Sequence, residues 1–355
     1  MFRSAPLLSA LAVVLPASAQ SYVVSPPQAA TTEGGTWFAE PFTGPCRYQQ
    51  INADLRGGPR NFSAIAFRRD GIAPTDPSLN ARLLDLEVSC ATGSYSGSGS
   101  NFAANYLSAP TTVFVRKLLS LPDLSAQPHS LPADWSINLA FDFNHTYVGN
   151  ADFLCELKVW AASSSNGYLV DGVSARDTVL TGGFRSIGSG CLTANGAMTV
   201  RGVIATDAAN ARSSFDWGIA RGPSSAAAGL LIGLTDPNVV VPGLCPSSAG
   251  NRLHCDGVLA SVLGSLDAVG TWTLPTVVAP WQPAFVGSTV TAQAAAVDPG
   301  QGGLGIAVSQ GIVSVVPPGP VAPQVARIVA TGPGAFGAAS GTRWFGLGFV
   351  MRVRY

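Results

Sequence analysis

The stretch Phe285 to Pro317, FVGSTVTAQAAAVDPGQGGLGIAVSQGIVSVVP, constrains the fold more than any other part of the chain. Val286, Ser288, Val290, Ala292, Ala294 and Ala296 share one face of an extended run, while Thr289, Thr291 and Gln293 share the other. That period of two is the pattern of a half-buried strand. The cluster Asp298-Pro-Gly-Gln-Gly-Gly turns the chain, and Leu304, Ile306 and Val308 alternate again. Gln310-Gly311 then reads as a second turn into Ile312 to Val316. The spacing predicts a three-stranded β-meander whose apolar face needs a second sheet to cover it.

The rest of the chain follows the same pattern. Strands are predicted at Arg47–Ile51, Phe62–Arg69, Leu83–Ser89, Thr112–Leu119, Trp135–Phe143 and Phe153–Trp160. Later ones are predicted at Met198–Ile204, Phe215–Ile219, Ala227–Leu234, Val258–Leu263, Gly270–Leu274 and Val325–Ala330. In Leu83–Ser89 the residues Leu84, Leu86 and Val88 point in and Asp85 and Glu87 point out. No segment keeps an apolar period of 3.6 over about 11 residues, so long helices are excluded. Only 11% of residues are charged and 47% are hydrophobic, and the 40 Gly and 26 Pro are scattered as turn punctuation. The expectation is an all-β chain of two β-sandwich, jelly-roll-like domains in tandem with a C-terminal extra strand. The boundaries read as a signal peptide at 1–19, a flexible lead-in at 20–35, an N-terminal sandwich at 36–173 and a linker at 174–190. A C-terminal sandwich at 191–317 and a tail with a final strand at 318–355 complete the division. Trp344 to Tyr355 alternates like the last strand of an outer-membrane barrel. The other strands lack the barrel series of roughly 10-residue amphipathic segments, so this one is expected to dock on a sandwich.

Arg3, the apolar run Ala5–Leu15 and Ala17-Ser18-Ala19 form the three parts of an export signal, which places the product outside the cytoplasm, periplasmic or extracellular. No later run reaches the roughly 18 apolar residues of a transmembrane helix. The 20 basic residues balance the 20 acidic ones without a basic face, which excludes nucleic acid as a partner. Cys46, Cys90, Cys155, Cys191, Cys245 and Cys255 are all disulfide candidates in an exported chain. Within the second half, Cys255 is expected to bond Cys191 or Cys245. No C-x-x-C spacing supports a metal.

Sites of chemistry are scarce. Of the three histidines, His129, His145 and His254, only His145 has a carboxylate three residues away, Asp142. No G-x-S-x-G elbow, phosphate-binding loop or dinucleotide fingerprint is present. No cofactor is expected. Asp70, Asp76 and Asp85 are weak calcium candidates at a loop edge, without EF-hand spacing. Trp135, Trp160 and Tyr168 are candidates for a sugar-stacking surface, against the alternative of core or rim packing.

Two sets of motifs carry a resemblance. The first half holds CRYQQI (Cys46–Ile51), FSAIAFRRDG (Phe62–Gly71), Phe102-Ala-Ala-Asn105 and FDFNHTYVGNADFLCELKV (Phe141–Val159). The second holds GSGC (Gly188–Cys191), LLIGLTD (Leu230–Asp236), a Cys-centred segment at His254–Leu259 and the opening stretch. In that order they resemble the secreted two-module β-sandwich proteins of planctomycete-type bacteria. The resemblance implies two sandwiches and export, and it brings no catalytic residues. This chain departs from it in its extra cysteines and in continuing past Pro317. The expected function is that of a secreted, non-enzymatic structural, adhesive or surface-associated protein. The alternative is a carbohydrate-binding protein using an aromatic surface of its N-terminal domain on a polysaccharide or cell-surface component. A hydrolase comes last.

Overall fold

A computed structural model describes residues 21–71, 79–125, 130–177, 179–207, 210–245, 252–319 and 322–355. The segment 1–19, read from sequence as a signal peptide, lies outside them. The described chain is all-β, with antiparallel sheets and only single-turn 3-10 helices.

The first core lies between two layers. One is a six-stranded sheet in the order Thr342–Phe345, Val325–Thr331, Cys46–Asn52, Asp152–Ala162, Arg82–Gly93 and Thr111–Leu121. The other joins a four-stranded sheet (Tyr22–Ser25, Met351–Arg354, Arg60–Phe67, Ile137–Tyr147) to a three-stranded one (Leu347–Phe349, Val170–Ser174, Thr36–Phe38). Alternation explains the burial. Leu84, Leu86 and Val88 turn inward from one layer and Phe349, Met351 and Val353 from the other. Phe349 is the hub, with its ring 4.9 Å from that of Tyr48 and 5.4 Å from that of Phe67. Full burial of one such ring contributes roughly 1.5–3 kcal/mol. The alternation of Phe62 to Arg69 is broken by a bulge between Phe62 and Ala64. There Ser63 alone stands opposite residues 141–144 of the partner strand, and Phe62, Ile65 and Phe67 all enter the core.

The second core is separate. One sheet runs Thr32–Glu33, Val179–Gly182, Thr199–Asp207 and Arg212–Ala220, with Trp272–Thr273 and Val277–Pro280 side by side on its far edge. The other runs Phe184–Ile187, Gly311–Val315, Thr289–Val297, Ala227–Gly233 and Ala260–Ser265. Trp217 lies over Gly202, its cross-strand partner, where a Cβ would sit 2.1 Å from the ring. The missing side chain is what lets the indole lie flat in this core.

The opening stretch differs from the expected meander: its first strand begins only at Thr289, after a 3-10 turn at Pro283–Phe285, so Val286 and Ser288, expected on the apolar face, are exposed. Ile306–Val308 and Gly311–Val315 pair with the same side of Thr289–Val297, their registers offset by one residue. Gln310-Gly311 is therefore a bulge inside one interrupted strand, and the unit is a hairpin. The bulge aims Gln310 across the sandwich, where its side chain accepts from Val200 N at 3.2 Å and donates to Val200 O at 2.8 Å. Thr291 and Gln293, expected on a solvated face, are buried beneath the segment around Arg252–Cys255. Gln293 accepts from His254 N at 2.8 Å and donates to Arg252 O at 2.9 Å.

The chain path interlocks the two cores. Residues 318–355, read from sequence as a tail, supply strands to all three sheets of the first. The closing strand docks there: Met351–Arg354 is inserted between Tyr22–Ser25 and Arg60–Phe67. Within the segment 20–35, read as a lead-in, Tyr22–Ser25 joins the first core and Thr32–Glu33 the second. The segment 174–190, read as a linker, carries Val179–Gly182 and Phe184–Ile187, one strand in each sheet of the second.

One disulfide is present, Cys191–Cys245, with Cα atoms 5.6 Å apart. This corrects the expectation that Cys255 bonds one of them. Cys255 is held away, its thiol donating to Thr291 O at 3.6 Å.

Candidate functional site

The aromatic candidates do not converge. Tyr168 is fully buried in the first core and donates its hydroxyl to Pro122 O at 2.8 Å, so the ring is no part of a surface platform. Trp160 is half-buried, stacked on Phe336 at 5.3 Å with the Arg116 guanidinium 4.2 Å from its ring centre. Both partners cover ring area that a sugar would need. Trp135 packs with Val24, Ala29, Val173 and Val350, and Arg68 and Arg352 each stand 5.1 Å from its ring. These rings serve packing.

The calcium candidates are likewise apart in role. Asp85 takes Arg116 through both carboxylate oxygens, which holds its carboxyl below the ordinary range. Asp70 is buried. Asp76 lies outside the described residues, as does His129. Among the described residues, no three His, Cys, Asp or Glu side chains are grouped to hold a metal.

The histidines offer one pair. His254 Nδ1 stands 3.0 Å from Asp236 Oδ1, the base-and-orienter half of a triad. Its other ring nitrogen faces backbone: a Cβ at Gly188 would sit 2.2 Å from Nε2. His145 is buried against Phe153, and burial lowers its pKa. Asp142, its neighbour in sequence, instead accepts from Val115 N and pairs with Lys117 at the surface.

A different cluster forms a site. Arg343, Trp344 and Phe345 lie on the edge strand Thr342–Phe345 of the six-stranded sheet. Gly346, at φ 61°, ends that strand and sends the chain into Leu347–Phe349 of the opposite layer. The two layers therefore open at this end around a pocket of about 400 Å³. Trp344, Phe345 and Leu347 form one side, and the turn Ser174-Ala175-Arg176 forms the other. That turn is set by Asp177, which accepts from Ser174 N at 2.8 Å, while Ser174 Oγ accepts from Arg176 N at 3.1 Å. Burial raises the Asp177 carboxyl, against the pull of the Ser174 and Gly35 backbone N–H groups.

The mouth is cationic and aromatic together. Arg343 donates to Ser98 O and lies 4.5 Å from the Phe345 ring centre. Arg176 is exposed on the opposite lip. Behind the wall, the buried guanidinium of Arg327 lies between Phe38 at 3.9 Å and Trp344 at 4.5 Å. Its Nε and Nη1 have no hydrogen-bond partner. Among the described residues, no carboxylate forms an ion pair with Arg176, Arg327 or Arg343. The rings already carry guanidinium groups, Arg343 on Phe345 and Arg327 on Trp344, and Tyr95 meets Phe345 edge-on at 5.3 Å, so what the mouth leaves for a ligand is its exposed guanidinium donors, which suit carboxylate or sulfate groups. Sequence reasoning passed over these residues because Trp344 read as one position of a closing strand and Arg176 as linker. The adjacent Arg-Trp-Phe was the available signal.

The junction between the cores holds a second polar group. Arg68 and Asp171, both fully buried, pair through Arg68 Nε at 2.6 Å, and Arg68 also donates to Thr32 O at 2.6 Å. Glu33 accepts from Gly71 N at 2.7 Å and Ala133 N at 3.2 Å. Burial, with Asp171 nearby, pushes the Glu33 carboxyl up to about 8. These groups are saturated by backbone, which marks them as fasteners.

The fold defines an all-β protein of the sandwich class. No family model matches the chain, and no curated protein matches it at a significant level. Among the described residues, no helix is long and apolar enough to cross a membrane.

Proposed function

We propose that this is a secreted, non-enzymatic adhesive protein that attaches to surfaces by taking an acidic polysaccharide at the mouth of its first sandwich. One observation carries the reading: an opening of about 400 Å³ that brings Arg176 and Arg343 beside Trp344 and Phe345. The exposed guanidinium groups offer donors to carboxylate or sulfate, and Phe345, 43% exposed beside Arg343 and Tyr95, offers an apolar edge to a sugar ring. Export is supported by the leader-like N-terminus and by the Cys191–Cys245 bond, which suits an oxidising compartment. A binding role without catalysis is supported by His254, whose Nε2 faces the backbone of Gly188. Kinship with the planctomycete-type secreted proteins belongs to the same proposal and rests on the sequence motifs.

The test is affinity electrophoresis through gels containing polygalacturonate or, as control, a neutral glucan. The protein is expected to be retarded by the acidic polymer alone, with retardation falling as salt screens the charges. The double substitution R176A/R343A is expected to weaken binding about tenfold or more, because both side chains are exposed and the core is untouched. Equal retardation of the variant, or none of the parent, overturns the reading.

A second reading has its own support. The outer face of the sheet holding Ala260–Ser265 is apolar: Leu263 is 84% exposed and Val297 51%, around a shallow depression with Leu231 and Ile306. Such a face fits contact with another protein. A sheet face that carries adhesion is expected to lose it in L263D while R176A/R343A retains it.

A further inference from the structure

Cys90 and Cys155 stand directly opposite each other on the neighbouring antiparallel strands Arg82–Gly93 and Asp152–Ala162. Directly opposed residues in such a pair have Cα atoms about 4.5–5.5 Å apart and side chains on one face. A disulfide spans about 4.4–6.8 Å between Cα atoms. The two side chains are buried in the first core, and the Cys155 thiol adds to the burial that raises that of Cys90. The remaining thiols have no such counterpart. Cys46 faces Val159 on one side and Thr331 on the other. Cys255 sits in the other sandwich beside Thr291.

We propose that Cys90 and Cys155 close a second disulfide when the chain folds in an oxidising compartment, stapling the middle of the six-stranded sheet as Cys191–Cys245 staples the second core. The oxidant is a disulfide, either a low-molecular-weight one such as oxidised glutathione or that of an exchange catalyst. The thiolate of one cysteine attacks a sulfur of the oxidant, forming a mixed disulfide and releasing one thiolate. The second cysteine, having lost its proton, attacks its partner's sulfur in that mixed disulfide. The internal bond forms and a second thiolate leaves. Two electrons pass to the oxidant, and the two protons go to solvent. Burial raises the Cys90 thiol well above its ordinary range, so ionisation and exchange belong to the stage before the two layers close. Once closed, the bond is out of reach of thiol reductants until the sheet opens.

The experiment is refolding of the reduced, denatured full chain in a glutathione redox buffer. It is followed by alkylation in denaturant and peptide mapping by mass spectrometry. The expected map contains a peptide pair linked through Cys90 and Cys155, with alkylation confined to Cys46 and Cys255. Alkylation of both Cys90 and Cys155, or a link from either to another cysteine, overturns the proposal. The single variant C90A supplies a control that does not depend on the double variant folding. Cys155 should then become alkylated while Cys191–Cys245 stays linked. On the folded parent, reductant without denaturant is expected to leave the linked pair intact, whereas a rapid loss of the link also counts against the buried placement.

Discussion

Gly346 is where the closing segment leaves one layer of the first sandwich for the other. Its φ of 61° lies in the left-handed region, and a Cβ there would sit 2.4 Å from that of Ala175. G346A therefore meets both backbone strain and a collision. It is expected to destabilise the protein by about 2 kcal/mol or more, seen as a lower urea midpoint with an unchanged slope. The crossing also explains how far the site could be read. The parity of core-facing residues changes across Gly346: Trp344 faces the core side before it, and Leu347, Phe349 and Met351 face in after it. Alternation revealed a strand on each side. It is silent about a change of layer, because either layer presents the same period of two. The mouth exists only because of that change, so Trp344 and Arg176 were legible as residue types and illegible as neighbours. Tyr168 shows the converse, since an aromatic in a Ser-rich loop carries no mark of whether its ring turns in or out.

At the scale of elements, the strand Met351–Arg354 has a position that its place in the chain conceals. It is paired on both edges, with Tyr22–Ser25 and with Arg60–Phe67. Removing residues 351–355 leaves two rows of backbone groups unpaired and takes Met351 and Val353 from the core. The expected outcome is loss of the first sandwich, measured as rapid proteolysis within 36–173, rather than the mild fraying of a surface strand. The bulge at Gln310 gives a second case. Q310A strips both backbone groups of Val200 of their side-chain partner inside the second core. A cost of about 2 kcal/mol in chemical denaturation is expected, against almost none if residue 310 occupied a surface turn. Strand existence was readable throughout these elements from period and composition. The bulge was not, because Gln-Gly serves a turn and a bulge equally well. What decides between them is the partner strand, and that pairing is set by the whole sheet. For the same reason Thr291 and Gln293 read as solvated, since a period of two identifies a second face without saying what covers it.

The two sandwiches are fastened where a short N-terminal strand, Thr32–Glu33, joins the edge of the second while Arg68 and Asp171 hold its backbone from the first. This fastening carries a pH signature. Unfolded, Glu33 ionises near its ordinary 4.5; folded, burial first and the charge of Asp171 second hold its proton up to about 8. The folded state binds that proton more strongly, so the contribution to stability is whole below about 4.5 and is lost as pH rises through about 8. Asp171, raised by burial against the opposing pull of Arg68, adds a loss of the same sign between 3.8 and about 6. Asp54, half-buried in the first sandwich, does the same up to about 6. His145 works in the opposite direction, since its lowered pKa favours the folded state as pH rises to 6.5 and no further. The interval from about pH 7 to 8 therefore isolates Glu33 from these three. Thermal melts of the whole chain are expected to show a falling midpoint across that interval. E33Q keeps an oxygen for Gly71 N but has no proton to lose, so its midpoint should be level there. A slope in E33Q as steep as in the parent would assign the loss to another group and remove Glu33 from the fastening.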